Sequence, residues 1–148
     1  MLLCLGFAVL LFSAGEAWSL PGCPGSYNQN TWTNCVGTKI NNPGEFQDKY
    51  VGEFKDGKAH GEGTVTFVGT IIRDGKISLE KATYVGEFKD GKVHGNGTLI
   101  FYDASQYIGE FKENRIDGKG AHTSSDGRVL NGVWEQCNVM STIGCRLR

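Results

Sequence analysis

The sequence predicts an all-β protein: an elongated single antiparallel sheet of repeated β-hairpins. Three observations support this prediction, namely an internal repeat, a two-residue alternation of apolar and polar positions, and the composition. Glycine accounts for 22 of the 148 residues, with 3 Pro, 8 Phe, 5 Tyr and 3 Trp. The glycine share is about twice the usual 7%. A chain rich in glycine and aromatic residues is typical of many short strands joined by tight turns.

A segment of similar sequence occurs three times in full and once in part. The full copies begin at Tyr50 (YVGEFKDGKAHGEGTVTF), Tyr84 (YVGEFKDGKVHGNGTLIF) and Tyr107 (YIGEFKENRIDGKGAHTS), and the partial copy at Leu130 (LNGVWEQC). The last two intervals are 23 residues each, and the first is 34 because an insert separates copies one and two. Such a period predicts stacked units that bury their apolar faces against one another.

Each copy has the pattern of one hairpin. Tyr50, Gly52 and Phe54 share one face of a strand because strand side chains alternate, and the residues between them point the other way. The Asp-Gly pair at 56–57 is a strong signal for a tight turn, and the returning arm spans about 61–67. Glycine inside a strand usually marks the close approach of another group. We therefore expect an aromatic ring over the glycine of each first arm. These glycines are Gly52, Gly86, Gly109 and Gly132.

Four regions follow from these patterns: a leader at 1–19, an N-terminal cap with a degenerate half repeat at 20–49, the array at 50–136 and a C-terminal cap at 137–148. The insert, at about 68–80, has apolar residues on both sides of an Asp-Gly pair. It predicts a lengthened, protruding hairpin, and the alternative is an unstructured loop.

The leader is nearly continuous apolar sequence from Leu2 to Phe12, too short to span a bilayer and typical of a signal peptide. Small residues at Ala17 and Ser19 suit cleavage before Leu20. We expect a secreted, periplasmic or cell-envelope protein. Two alternatives stay open: a buried N-terminal strand or helix, and a bacterial lipoprotein whose Cys23 is lipidated.

The pattern Tyr-x-Gly-x-Phe, Asp-Gly-Lys, His-Gly-x-Gly resembles the MORN (membrane occupation and recognition nexus) repeat over about 50–136. The third copy departs from it at Asp117 and at the Glu-Asn pair 113–114, and the fourth at Leu130 and Trp134. The resemblance implies an elongated sheet of hairpins. Residues 31–38 resemble a degenerate returning arm in the N-terminal cap of exported bacterial members, and the family name implies membranes.

Cleavage leaves four cysteines, Cys23, Cys35, Cys137 and Cys145, an even number that suggests two disulfides in an exported chain. Their spacings do not suit zinc. Four cysteines allow three pairings. Because an elongated array holds its ends apart, we expect Cys23–Cys35 and Cys137–Cys145.

No residue set indicates catalysis, a metal or a cofactor. The net charge of −1 gives no case for nucleic acid. His60 and His94 occupy one repeat position, where we expect packing and backbone hydrogen bonds. Glu53, Glu87 and Glu110 recur with identical neighbours, which favours a solvated face with cross-strand charge pairs over a catalytic carboxylate pair.

Two surfaces are candidate binding sites. The first is an aromatic groove, filled by its own packing or partly exposed to a protein or peptide partner. Its residues are Tyr50, Phe54, Tyr84, Phe88, Tyr107, Phe111 and Trp134. The second is a basic edge at the turns, which suits anionic lipid or acidic polysaccharide. Its residues are Lys55, Lys58, Lys89, Lys92, Lys112 and Arg115.

The prediction for function is a non-catalytic exported interaction or scaffolding module for an unidentified protein or peptide. The alternative is a peripheral, anionic-lipid-binding protein of the envelope. An aromatic groove favours the first function, and a basic excess on one face favours the second.

Overall fold

The computed structural model describes residues 20–41, 48–73, 76–138 and 146–147 and confirms the all-β prediction. Nine strands form a single sheet in chain order, and each pairs antiparallel with the next. The strands are β1 (Cys35–Asn41), β2 (Asp48–Lys55), β3 (Lys58–Arg73), β4 (Lys76–Lys89), β5 (Lys92–Ile100), β6 (Gln106–Lys112), β7 (Arg115–Thr123), β8 (Val129–Asn138) and β9 (Arg146–Leu147). Within the described ranges, no helix has the length and hydropathy of a membrane span.

Two-residue turns close the three repeat hairpins. Asp56 and Gly57 both have positive φ, 50° and 70°, between the directly paired Lys55 and Lys58. Positive φ at both central residues is the geometry whose twist matches that of the flanking strands. The turn at 113–114 has the same geometry, with φ of 51° and 65°, although it contains no glycine.

A bulge interrupts each hairpin just above its turn. Gly52 pairs with Gly63, whereas Phe54 pairs with Ala59, so three residues of β3 lie opposite the single residue Glu53. Gly61, in the middle of this bulge, has a φ of 61°, which favours glycine. The His-Gly-x-Gly motif of the first two copies, and the Asp-Gly-Lys-Gly segment at the same place in the third, therefore form a bulge.

β1 takes the place of a returning arm in front of the first full repeat. Gly37 of β1 pairs with Gly52, just as Gly63 of the first returning arm pairs with Gly86. A disulfide between Cys23 and Cys35 fastens the preceding segment to this strand, with Cα atoms 4.9 Å apart. This pairing agrees with the predicted N-terminal staple.

The insert lengthens the first returning arm and the following strand. β3 and β4 stay in register out to the pair Arg73 and Lys76, so this hairpin extends well beyond the others. The sequence between copies one and two is thus a hairpin extension and not an unstructured loop.

Each turn also folds onto the preceding hairpin. The backbone N–H of Gly91 donates to the carbonyl of Ala59 at 2.8 Å, and that of Asn114 donates to the carbonyl of Val93 at 3.1 Å. The N–H of Gly57 donates to the carbonyl of Trp32 in the cap at 2.7 Å. These bonds connect neighbouring hairpins on the aromatic side of the sheet.

The predicted leader at 1–19 and the second predicted disulfide partner, Cys145, lie outside the described residues. Cys137 is disulfide-bonded. Its pairing with Cys145 stays a prediction.

Candidate functional site

A continuous row of aromatic rings runs across one face of the sheet, called the aromatic face below. Successive rings meet nearly at right angles, which is a favoured geometry for aromatic pairs. Centroid distances are 4.8 Å for Tyr50–Phe88, 4.8 Å for Tyr84–Phe111 and 5.8 Å for Tyr107–Trp134. Trp32 extends the row into the cap, 4.9 Å from Phe54. All seven residues of the predicted groove belong to this row.

Burial corrects part of the groove prediction. Each of the seven residues is buried, and Tyr84 and Tyr107 have no exposed surface at all. These two rings therefore cannot offer contact area to a partner while the chain keeps this fold. Self-packing, the alternative that the sequence left open, accounts for most of the row.

The tyrosine hydroxyls anchor the row to the backbone of the bulges. The hydroxyl of Tyr50 donates to the carbonyl of Glu53 at 2.8 Å, and that of Tyr84 donates to the carbonyls of Glu87 at 3.0 Å and His94 at 3.2 Å. Burial is the main cause that raises the pKa of Tyr50 and Tyr84 above the usual value. These phenols stay neutral and serve as hydrogen-bond donors.

Bare glycines make room for the tyrosine rings. A Cβ added to Gly63 would lie 2.6 Å from Cε2 of Tyr50, and one added to Gly97 would lie 2.5 Å from Cε2 of Tyr84. Gly52 and Gly86, on the first arms, meet the hydroxyls of the same two tyrosines. Among the nearest atoms, the tyrosine hydroxyl faces the first-arm glycine and ring carbons face the glycine of the returning arm. The expected ring therefore lies mainly over the returning-arm glycine.

The open part of the aromatic face is a cleft of about 910 Å³ at its N-terminal half. Its apolar residues include Tyr50 and Phe88 from the ring row together with Val65, and Phe67 and Tyr27 add further apolar surface. Charged residues of both signs also line it. These are Lys39, Asp48, Asp56, Lys58, Glu113 and Arg115.

The cap builds one wall of the cleft. The Tyr27 hydroxyl donates to the carbonyl of Gly57 at 2.8 Å, and its ring meets Trp32 edge to face at 5.4 Å. The Lys39 ammonium lies 4.4 Å from the centre of the Tyr27 ring, a cation–π contact. Tyr27 and Lys39 were not predicted as site residues because they lie outside the repeats, although an aromatic residue inside the Cys23–Cys35 loop was a signal for this wall.

Within the described ranges, the recurrent glutamates form none of the expected cross-strand ion pairs, and two of them bond to the backbone instead. The carboxylate of Glu87 accepts the backbone N–H of Asn96 at 2.8 Å, and that of Glu110 accepts the N–H of Lys119 at 2.7 Å. Both donors lie in the bulge of the returning arm. Glu87 and Glu110 therefore each satisfy a backbone group that the bulge withdraws from the strand ladder.

All six residues of the predicted basic edge are exposed, and two of them, Lys58 and Arg115, also line the cleft. Its members face each other in pairs at the hairpin ends, for example Lys89 opposite Lys92. Lys92 also forms an ion pair with Glu113 of the next turn. This hydrogen bond holds the pKa of the Glu113 carboxyl below its usual value. The Glu113 carboxylate thus offsets part of the positive charge of the basic edge.

The histidines differ from expectation in their hydrogen bonds. Among the described residues, Nδ1 of His60 and of His94 is buried without a hydrogen-bond partner. A carboxylate oxygen of Asp90, in the next turn, lies 3.9 Å from Nδ1 of His60. In the described part of the chain, no group of three or more His, Cys, Asp or Glu is placed to hold a metal ion.

A family model for the MORN repeat matches residues 50–69, 84–106 and 107–127. These matches coincide with the three full copies read from the sequence. No curated protein sequence matches the chain significantly.

Proposed function

The chain is a MORN-repeat protein, and we propose that it is a non-catalytic interaction module that binds a segment of a partner protein in the cleft. MORN repeats are commonly interaction or membrane-associated modules, and they are generally non-catalytic. The cleft carries the proposal, because the partly exposed rings of Tyr27 and Phe67 lie there together with charged groups.

The lining of the cleft suits one class of ligand. The partly exposed rings of Tyr27 and Phe67 offer a site for large apolar side chains, above a floor of buried residues that includes Tyr50 and Phe88. Charges of both signs, including Asp48 and Arg115, lie around it. A short amphipathic peptide segment with mixed charges matches both features, and such segments commonly bind preformed apolar grooves.

Site-specific photo-crosslinking tests the location of binding. A photoreactive phenylalanine analogue replaces Phe67 in the cleft in one variant and the exposed Tyr102, which is not part of the cleft lining, in a control variant. We expect the Phe67 variant to capture the partner and the Tyr102 variant to capture none of it. Equal capture from both positions would contradict the cleft as the site.

Affinity measurements with the captured partner complete the test. The substitution Tyr27→Ala removes the wall of the cleft, and Tyr102→Ala removes an exposed aromatic residue outside it. We expect at least a tenfold loss of affinity, about 1.4 kcal/mol, for Tyr27→Ala only. Unchanged affinity in a folded Tyr27→Ala variant would refute the proposed site.

Peripheral binding to an anionic membrane is the second candidate. It is favoured by the basic residues that face each other at every hairpin end, such as Lys55 opposite Lys58. The test is co-sedimentation with vesicles rich in phosphatidylserine against vesicles of phosphatidylcholine alone. Binding to the phosphatidylserine vesicles that is lost in the Lys55→Glu and Lys89→Glu variants, and lost at raised salt, would support the membrane function.

Export belongs to the proposal as well. The apolar stretch at 2–12 followed by Ala17 and Ser19 is typical of a signal peptide. N-terminal sequencing of protein from the expressing cell should begin at Leu20 or within a few residues of it. A cytosolic chain that retains Met1 would overturn the export proposal.

A further inference from the structure

The face of the sheet opposite the aromatic rings, called the outer face, carries two unbroken rows of side-chain positions that cross eight strands. The first row consists of Thr38, Val51, Thr64, Val85, Thr98, Ile108, Ala121 and Asn131. The second row consists of Ile40, Lys49, Thr66, Thr83, Ile100, Gln106, Thr123 and Val129. We call these two rows the outer band.

The outer band is exposed, and much of it is apolar. None of its positions is buried, and Val85, Ile100 and Ile108 are 48%, 43% and 51% exposed. A solvent-facing surface of an antiparallel sheet is normally polar. An exposed, contiguous apolar patch on a folded protein usually marks a contact surface.

The charge of the outer band limits what it can bind. Lys49 is its one charged residue, so the band offers almost no attraction to a charged polymer or an anionic membrane. The neighbouring row towards the turns, in contrast, contains Glu53, Glu87 and Glu110 on the same face. A partner for the band needs an uncharged surface that is rich in β-branched residues, with side-chain rows spaced like those of the band.

We propose that the partner of the outer band is the outer band of a second copy of this chain. Two copies of a band that is nearly free of charge can pack face to face in an isologous dimer, as the two sheets of a sandwich do at about 10 Å separation. Threonine and valine rows interdigitate without leaving a buried charge, because Lys49 lies near the β1 end of its row and can reach solvent. This inference concerns the face opposite the cleft and is independent of the proposed function.

The area of the band predicts a weak, reversible dimer. Eight strands spaced about 4.8 Å apart and two rows about 7 Å apart give roughly 500 Å² per copy, or roughly 1,000 Å² in total. That total lies at the lower limit for specific interfaces. We therefore expect a dissociation constant on the order of 0.1 mM for the dimer. At such an affinity, the local concentration of the chain at a membrane or on a bound partner determines whether it is a monomer or a dimer.

Sedimentation velocity from about 10 µM to about 1 mM of the mature chain tests the proposal. The double variant V85K/I108K places two charges in the centre of the band at positions that are exposed in the monomer. The matched control S26K/S125K adds the same charge at exposed loop positions away from the band. All three proteins are checked for equal unfolding midpoints before sedimentation.

We expect the wild-type chain and S26K/S125K to form dimers alike as concentration rises. The dimer of V85K/I108K should be at least about 100-fold weaker, because its lysines would be buried without partners. A wild-type chain that stays monomeric at the highest concentration overturns the proposal. A dimer that V85K/I108K leaves unchanged also overturns it, since another surface must then hold the two copies.

Discussion

The Tyr84 ring meets the Phe111 ring of the next hairpin with centroids 4.8 Å apart and ring planes at 76°. On its own strand, Tyr84 also meets Phe88 at 5.3 Å. Each central ring therefore packs within its hairpin and across the boundary to the next. Removing one ring should therefore lower the stability of two hairpins at once. Losing a contact that lies within a single hairpin should affect that hairpin alone.

The first prediction separates the ring of Tyr84 from its hydroxyl. Tyr84→Phe keeps the ring and loses the hydrogen bonds to the carbonyls of Glu87 and His94, so we expect a loss of about 1 kcal/mol. Tyr84→Ala should cost about 4 kcal/mol, because it leaves a cavity between two hairpins. Urea unfolding measures both, with the exposed Val85→Ala as control. Equal losses of stability in the two Tyr84 variants would show that packing of the ring contributes little.

The second prediction concerns the glycine beneath that ring. A Cβ on Gly97 would lie 2.5 Å from the Tyr84 ring, whereas one on Gly22 would meet nothing within 4 Å. We expect Gly97→Ala to lower the free energy of unfolding by about 2 kcal/mol and Gly22→Ala to leave it nearly unchanged. Thermal unfolding of the two variants, compared with the parent chain, provides the measurement. Similar midpoints for both variants would show that the ring can move aside.

The third prediction concerns the carboxylate in the bulge. Glu87→Ala leaves the N–H of Asn96 without its acceptor and should cost about 1–2 kcal/mol, whereas Glu87→Gln keeps an acceptor and should cost less. Glu62→Ala, the control, removes the same charge from the residue directly opposite Glu87, and urea unfolding compares the three variants. If Glu62→Ala destabilises the chain as much as Glu87→Ala does, the effect is one of net charge and not of the hydrogen bond.

The fourth prediction concerns alkaline pH. Burial raises the pKa of Tyr107 to about 12, above the value near 10 of an unfolded chain. Between these two values the folded state binds more protons than the unfolded state, so stability falls as pH rises. The Tyr107 contribution is complete below about pH 10 and is lost as pH rises through about 12. Unfolding free energies across this window should decline less steeply for Tyr107→Phe, and parallel declines would count against a buried phenol.

The fifth prediction concerns the N-terminal staple. The Cys23–Cys35 disulfide closes a loop with a sequence separation of 12, and its removal by Cys23→Ser with Cys35→Ser should cost about 3 kcal/mol. The cleft wall depends on the same cap, so partner binding should weaken as well. Peptide mapping without reductant should recover Cys23 joined to Cys35. Recovery of either residue joined to Cys137 would contradict the observed sheet order.

The sequence by itself determined the repeat, the two-residue turns and the assignment of residues to faces. These features are local: alternation follows from strand geometry, and an Asp-Gly pair accepts positive φ wherever it occurs. The aromatic face and the glycines beneath its rings were therefore predictable from one copy. So was the lengthened hairpin at the insert, because its two arms are apolar and flank a turn signal.

Only the tertiary structure decided which parts of that face remain accessible. Burial of Tyr84 depends on Phe111 of the following hairpin, and the spacing of rings between hairpins is not encoded within a single repeat. The role of Glu87 depends on a bulge whose register arises from two strands together. The cleft exists because Tyr27, from outside the repeats, packs near the first turn. Contacts between neighbouring hairpins and with the cap determine these three features, so the residue pattern within one repeat cannot predict them.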